Sequence, residues 1–419
     1  MMSITILVVL TTFLLAATGG TRETSLQQDS FVYVTAVSWS NDGSKLAVVG
    51  IQQPSTQGYL RIFDAVTGRD IYALDPLPGG FTSVAWSPND RFIAAGGFDQ
   101  VVWVINVETG NHIASLRGHQ ATVTSIDWNA DGTRLVSSGN WDGLTLLWNM
   151  TNYQLIRVVE EGDFFPFAAT FSPNSDLIAV AGEGGIRIYP SSDTAAQDSR
   201  WYYSNLNIAA LAWNPLNDQI VFGTRGFQSI TNPTASTFAY LYVIDSHSGN
   251  SLSVVSTTTN TIDALAWSGD STLIATHGTD GIIEIRDTRT GLVIQTYSGV
   301  TRYPSYMDFS RYSGRLAFGN TFSITSMDVA TGSRSNNQSV NQIANGAVQI
   351  IVPDPSPERL QAIAAQCGAP LTVERGLDAA IATADYADVI AQIDALPAEA
   401  IPPACAADLR AVAAAMGRR

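Results

Sequence analysis

A chain of 419 residues, 45% of them hydrophobic, has a globular rather than a disordered composition and is long enough for one large domain plus something smaller. Its formal net charge is −15, Lys45 is its only lysine, and the arginines are scattered singly. With no basic stripe to neutralise phosphates, nucleic acid and anionic membrane surfaces are excluded as natural partners.

The first twenty residues, "MMSITILVVLTTFLLAATGG", hold an apolar run from Ile4 to Ala17 that is short for a membrane span and is bounded by small residues. Residues 1–20 therefore read as a signal peptide or, if uncleaved, as an N-terminal apolar anchor and the sole membrane contact. The segment before the run has no Lys or Arg, and no cysteine follows it for a lipid anchor. The reading predicts an extracytoplasmic protein, whether secreted, periplasmic or at the cell surface. Cys367 and Cys405 are the only cysteines. An even number behind an export signal favours a disulfide, and two reduced thiols buried among alanines are the alternative.

From residue 36 onward one pattern recurs seven times: an alternating strand ending in Trp or Phe, then Ser or Asn, a polar turn, and an apolar strand. "AVSWSNDGSKLAVVG", "SVAWSPNDRFIAAGG" and "SIDWNADGTRLVSSG" are the first three copies. The anchors are Trp39, Trp86, Trp128, Phe171, Trp213, Trp267 and Phe309, spaced by 47, 42, 43, 42, 54 and 42 residues. A third strand ends in Asp or Asn before a Thr/Ser-Gly turn, as in "LRIFDAVTG" and "ITSMDVATG", and a more polar fourth strand follows most copies. Four short strands per period of about 42 residues make a propeller blade, whose two apolar faces are buried only by its neighbours around a ring.

In these residues the chain resembles the WD40-repeat family over about Ser30 to Gly332. The expected fold is all-β, a seven-bladed WD40-like β-propeller with a small C-terminal α-helical appendage. The expected divisions are a propeller over residues 25–340, a Pro-containing linker over 341–356 and an Ala-rich helical domain over 357–419. Most blades depart from the family's Trp-Asp pair, as Trp148-Asn149 and Arg286-Asp287 show. In the family, strands from both termini usually complete one blade. Here the segment from about Ser25 to Tyr33 could supply the outer strand of the last blade, or "SRSNNQSV" or "AVQIIV" downstream could.

The third unit is the one closest to the family pattern. There the resemblance implies a hydrogen-bonded tetrad of His119, Ser138, Asp142 and Trp148 that locks one blade's outer loop to its neighbour. The competing reading is a Ser-His-Asp catalytic set. Ser138 lies inside an apolar strand, and the sequence has no G-x-S-x-G elbow to expose a nucleophile, so the structural reading is preferred. His112, His247 and His277 fall in different blades without metal-ligand spacing, and the "NDGS" and "ADGT" turns do not extend to a calcium-loop series. No catalytic residue, metal site or cofactor is expected.

The loops joining second to third strands, and one blade to the next, emerge on one face of the ring. Phe98 and Trp141 precede the turn aspartate in successive units, and "GDFFPF" puts Phe164 and Phe165 in the following inter-blade loop. The 54-residue spacing comes from an insertion over Arg225 to Thr237, which makes Arg225 and Phe227 further candidates. These six residues are the expected partner-binding set, with inter-blade packing of the rings as the alternative. "SRWYY" reads as an outer strand rather than a carbohydrate platform.

Beyond residue 345 the chain is Ala-rich. Ser356 before Pro357-Glu358 predicts a helix start and Cys367-Gly368 its end, helical spacing runs through Tyr386, Ile390, Ile393 and Leu396, and a further helix restarts after Pro402-Pro403. A bundle of three or four helices this small would gain from a Cys367–Cys405 disulfide. The expected function is that of an exported, non-enzymatic scaffold binding protein partners that the sequence does not name. The alternatives are a lactonase-like propeller hydrolase with a central-channel metal, and a carbohydrate- or peptide-binding module.

Overall fold

The computed structural model describes residues 31–417 apart from 54, 66, 74–76, 161, 163, 194–199, 204–205, 227–237, 299–306, 311–314, 320, 324–339, 344–347, 353–355, 370–376, 379–380, 384 and 397–399. Each repeat becomes one antiparallel sheet. The inner strands of the first six blades are Phe31–Trp39, Phe81–Trp86, Val123–Trp128, Phe165–Phe171, Ile208–Trp213 and Ile262–Trp267. Each is followed by a hairpin-linked second, third and fourth strand. The second strands are the greasiest, with Leu273–Gly278 wholly buried, because blades pack on both of their faces. Fourth strands face water, and Ser251–Ser256 leaves four of its six residues exposed.

The Ser after each aromatic anchor closes the turn to the second strand. Its hydroxyl accepts the backbone N–H five residues on, from Lys45 to Ser40, Phe92 to Ser87 and Leu177 to Ser172, each at 2.9 Å. Asn129 does the same for Arg134 at 2.8 Å. In the tight turn at Gly43 the backbone is left-handed, φ +63°, a conformation that costs glycine least.

The anchors also join the blades. Trp86 Nε1 donates to Ser38 O at 3.0 Å, Trp128 to Ala85 O at 3.3 Å, Trp213 to Thr170 O at 3.2 Å, and Trp39 to Asp308 O at 3.0 Å, closing the ring from first blade to last. Trp267 turns its indole to Ser271 O in its own blade. Phe171 has no indole; there Asp127 of the preceding blade takes over, its carboxylate accepting from Thr170 Oγ1 at 2.6 Å and Phe171 N at 2.8 Å.

A seventh, shorter sheet packs between the sixth and first blades. Its strands, in spatial order, are Met307–Phe309, Leu316–Gly319, Val348–Ile351 and Val340–Ile343, of three or four residues each. This corrects three expectations. Val348–Ile351, within "AVQIIV", is its third strand, whereas "ITSMDVATG" falls outside the described residues. The N-terminal segment does not complete this sheet; Phe31 to Tyr33 instead pairs with Thr321–Ser323 at the inner edge of the first blade. The propeller therefore runs past 340 to 351, and the strands Val340–Ile343 and Val348–Ile351 lie largely within the expected 341–356 linker, because the second strand Leu316–Gly319 takes Val348–Ile351 as its edge partner.

Three helices are delimited among the described residues of the tail: α1 (Pro357–Gln366), α2 (Tyr386–Asp394) and α3 (Pro403–Met416). Ser356 caps α1 by accepting from Arg359 N at 3.1 Å, and Gly368 ends it with φ +65°. Leu360, Ile363, Val389, Ile393, Leu409 and Val412 form their common core. The Cys367 and Cys405 sulfurs lie 1.96 Å apart, at bonding distance, between the end of α1 and the start of α3. Among the described residues no helix is long and apolar enough to cross a membrane.

Candidate functional site

Blade 3 carries the candidate site's framework. Its second strand, Arg134–Gly139, and third strand, Leu144–Asn149, are joined by the turn that holds Trp141 and Asp142. His119, entering from the preceding inter-blade loop, lies with Nδ1 3.0 Å from Asp142 Oδ2 and Nε2 2.8 Å from the hydroxyl of Ser137. Trp148 Nε1 donates to the same Ser137 hydroxyl at 2.8 Å. The Asp142 carboxylate can only accept, so His119 Nδ1 donates to it, and the Ser137 hydroxyl links the indole to Nε2.

The tetrad serine is thus Ser137 and not Ser138, a correction with a simple cause. Side chains alternate across a strand, and Leu135, which pairs with Trp148, shares its face with residue 137. Ser138 points toward the next blade and bonds Thr145 Oγ1 at 3.0 Å. The parity was available in the sequence from Leu135 and Trp148.

Neither serine is a nucleophile. Both are fully buried, and the Ser137 hydroxyl is already committed to two partners. Asp142 is occupied too: besides His119 it accepts from Gln120 N at 2.8 Å and Leu144 N at 3.0 Å. Burial opposes its ionisation, but the bonds from His119, Leu144 and Gln120 outweigh it and hold the carboxyl below the usual range.

What this arrangement does is fix a turn. Trp141, one residue before Asp142, stands 77% exposed, with the Phe165 ring beside it at 6.2 Å between centroids. Phe98 occupies the same turn of blade 2 and is 51% exposed. Its following residue, Asp99, accepts from Trp103 Nε1 at 2.7 Å, a shorter version of the same brace.

Two expected partner residues are placed otherwise. Phe164 is buried at 3% exposure beneath the Arg187 guanidinium, 4.5 Å away, which pairs with Glu160 at 2.7 Å. It packs the joint between blades 3 and 4 instead of standing free, because adjacent residues entering a strand point to opposite sides. Arg225 lies half-buried over the Phe167 ring at 4.3 Å, and Phe227 falls outside the described residues.

At the ring's axis lies a cavity of about 350 Å³ whose lining includes Ser38, Asp127, Thr170 and Asp308. Burial pushes both aspartates up to about 6, and Asp127 adds to the shift at Asp308. Two carboxylates and no histidine line it, and no group of three or more His, Cys, Asp or Glu among the described residues could hold a metal. The sequence reading did not single these residues out. The position before the anchor, Asp127 and Asp308 in units whose other copies carry Ser, Ala or Thr there, was the available signal.

Comparison with known proteins agrees with this geometry. A family model described as WD domain, G-beta repeat, matches residues 76–106 and 110–149. "Cell division cycle 20.1, cofactor of APC complex" of Arabidopsis thaliana is 26% identical over 226 residues, 51% of this chain and 47% of that protein. "Meiotic fizzy-related protein 1" of Schizosaccharomyces pombe is 24% identical over 246 residues, 52% and 54% of the two chains. The rice "Small ribosomal subunit protein RACK1y" is 31% identical over 124 residues, 29% and 36%. The chain thus spans about half or less of the curated relatives it matches. A solved structure, "Structure of U3-55K", superposes with a TM-score of 0.59 over 78% of this chain and 99% of that one, at 12% identity, and so supports the fold alone.

The relatives also correct one expectation. The cell-division-cycle and fizzy-related proteins are intracellular regulators, which overturns the extracytoplasmic placement drawn from residues 1–20, themselves outside the described residues. Repeats, ring and matched segments together show a β-propeller that carries WD40 repeats at residues 76–106 and 110–149.

Proposed function

We propose that the chain is a non-enzymatic scaffold that binds a protein partner on the face carrying Phe98, Trp141 and Phe165. The observation behind this reading is Trp141. A large ring left 77% exposed would ordinarily be buried, and here a buried hydrogen-bond chain holds its turn rigid. A preordered aromatic loses little side-chain entropy on binding, which favours it as an anchor. The cofactor and subunit roles in the relatives' names agree with a binding rather than a catalytic role. Arg225, stacked on Phe167, contributes at most the edge of this face. The helical tail is held together by a Cys367–Cys405 disulfide.

The test is co-precipitation from the native host with the full chain and with Phe98→Ala, Trp141→Ala and their double variant. A partner captured by the parent and lost from the double variant supports the assignment. Full retention by the double variant, with the fold intact by circular dichroism, removes it.

A further inference from the structure

The helical tail contacts the propeller on both sides of the seventh sheet. The first and last blades are brought together only by closing a long stretch of chain. Phe309 has no indole to offer the sixth blade, and Trp267 spends its own within that blade.

Arg315, directly before the seventh sheet's second strand, bridges that sheet to the first blade. Its guanidinium donates to Ala65 O at 2.9 Å and Gly43 O at 3.1 Å, both in the first blade, and lies 4.4 Å above the Trp39 ring. Its Nε donates to Asp408 Oδ1 of α3 at 2.7 Å, and the Ser310 hydroxyl donates to Asp408 Oδ2 at 2.7 Å. The side chains of Arg315 and Asp408 are 5% and 1% exposed, so Asp408 supplies a buried counter-charge to the cation at the joint.

One turn earlier on α3, Ala404 packs on Gly43 so closely that a side chain at 43 would come within 2.8 Å of its Cβ. On α1, buried Arg359 pairs with the Asp270 carboxylate of the sixth blade and donates to Thr272 Oγ1 at 2.8 Å. The two gripping helices share one core and meet at Cys367 and Cys405. Their contacts fall on the turns between first and second strands, at the opposite end of the strands from the turn of Trp141.

We infer that the tail is a clasp closing the ring: α1 holds the sixth blade, α3 holds the seventh and first, and the aromatic face stays uncovered. The tail acts on its own propeller and is not itself the partner-binding module. The inference is independent of the proposed partner face.

Hydrogen exchange on the full chain tests it, comparing the parent with Asp408→Asn. Asparagine keeps the shape but leaves Arg315 buried without its counter-charge. The expected result is exchange faster by at least about tenfold in Met307–Phe309, Leu316–Gly319 and Phe31–Trp39, with Val123–Trp128 of blade 3 unchanged. Faster exchange confined to the helices, equal acceleration in every blade, or no change would each overturn it. Should Asp408→Asn fail to fold, Ser310→Ala removes only the hydroxyl bond, and about threefold acceleration at the same strands is expected. The same three contrary patterns would count against the clasp.

Discussion

Replacing Ser137 by alanine should destabilise the third blade far more than the same change at its neighbour Ser138. The Ser137 hydroxyl is fully buried and serves both Trp148 Nε1 and His119 Nε2 at 2.8 Å. Alanine leaves an indole N–H and an imidazole nitrogen unpaired in a site too enclosed for easy access by water. Each such loss costs about 1 to 3 kcal/mol, and with some relaxation the sum is about 2 to 4 kcal/mol. Ser138→Ala removes one bond, to a Thr145 hydroxyl that is free to rotate, and should cost about 1 kcal/mol. Urea midpoints, with hydrogen exchange in Leu144–Asn149 as the local probe, separate the two. Equal costs, or a larger one for Ser138→Ala, would refute the assignment of Ser137 as the shared partner.

Phe164→Ala should cost about 3 to 5 kcal/mol by opening a hole under Arg187, whereas Trp141→Ala should stay within about 0.5 kcal/mol of the parent in the same urea titration. A pH dependence follows from the axial carboxyls. Their folded value of about 6 lies above an unfolded value near 3.9, so the folded state binds more protons and gains stability as pH falls from 7 to 4, by about 2 kcal/mol for each carboxyl. His277, lowered by burial to about 4, acts with opposite sign in that window, losing stability as the pH falls. The measurement is therefore the difference between the parent and Asp127→Asn/Asp308→Asn, which should shrink toward pH 4; a constant difference contradicts it. Alkylation under denaturing, non-reducing conditions should label neither Cys367 nor Cys405, and reduction should destabilise the tail by about 4 kcal/mol in the chain-entropy model.

The ring was legible in the sequence because each blade repeats the same physical solution. An aromatic joins the preceding blade, a Ser or Asn closes the turn, and an apolar strand follows. The helix limits in the tail were equally local, set by Ser356, Gly368 and Pro403. What the pattern could not supply was orientation and long-range partnership. Ser137 and Ser138 are equivalent to a motif but opposite to a pleated strand, and Phe164 and Phe165 differ in the same way. The third strand of the seventh sheet comes later in the chain, so the nearer "ITSMDVATG", outside the described residues, matched the repeat by local pattern alone. Arg315 and Asp408 lie 93 residues apart, and neither carries a local signal that it will meet the other. The apolar start of the chain carried its own meaning in isolation, and only relatives could weigh against it.

The joints between blades give the ring an address system. Because five of the boundaries carry a bond donated by the following blade, and the donor differs among them, the repeats are not spare parts for one another. A chimera carrying a second copy of blade 3 in place of blade 4 would put an indole where Phe171 now sits and remove Thr170, stranding the Asp127 carboxylate that reaches for both. Copies of blade 2 inserted ahead of blade 3 would meet compatible partners on each side, since Trp86 and Trp128 dock in the same manner. Lengthening or reshuffling such a propeller is therefore constrained less by blade shape than by which neighbour each edge has been written to receive.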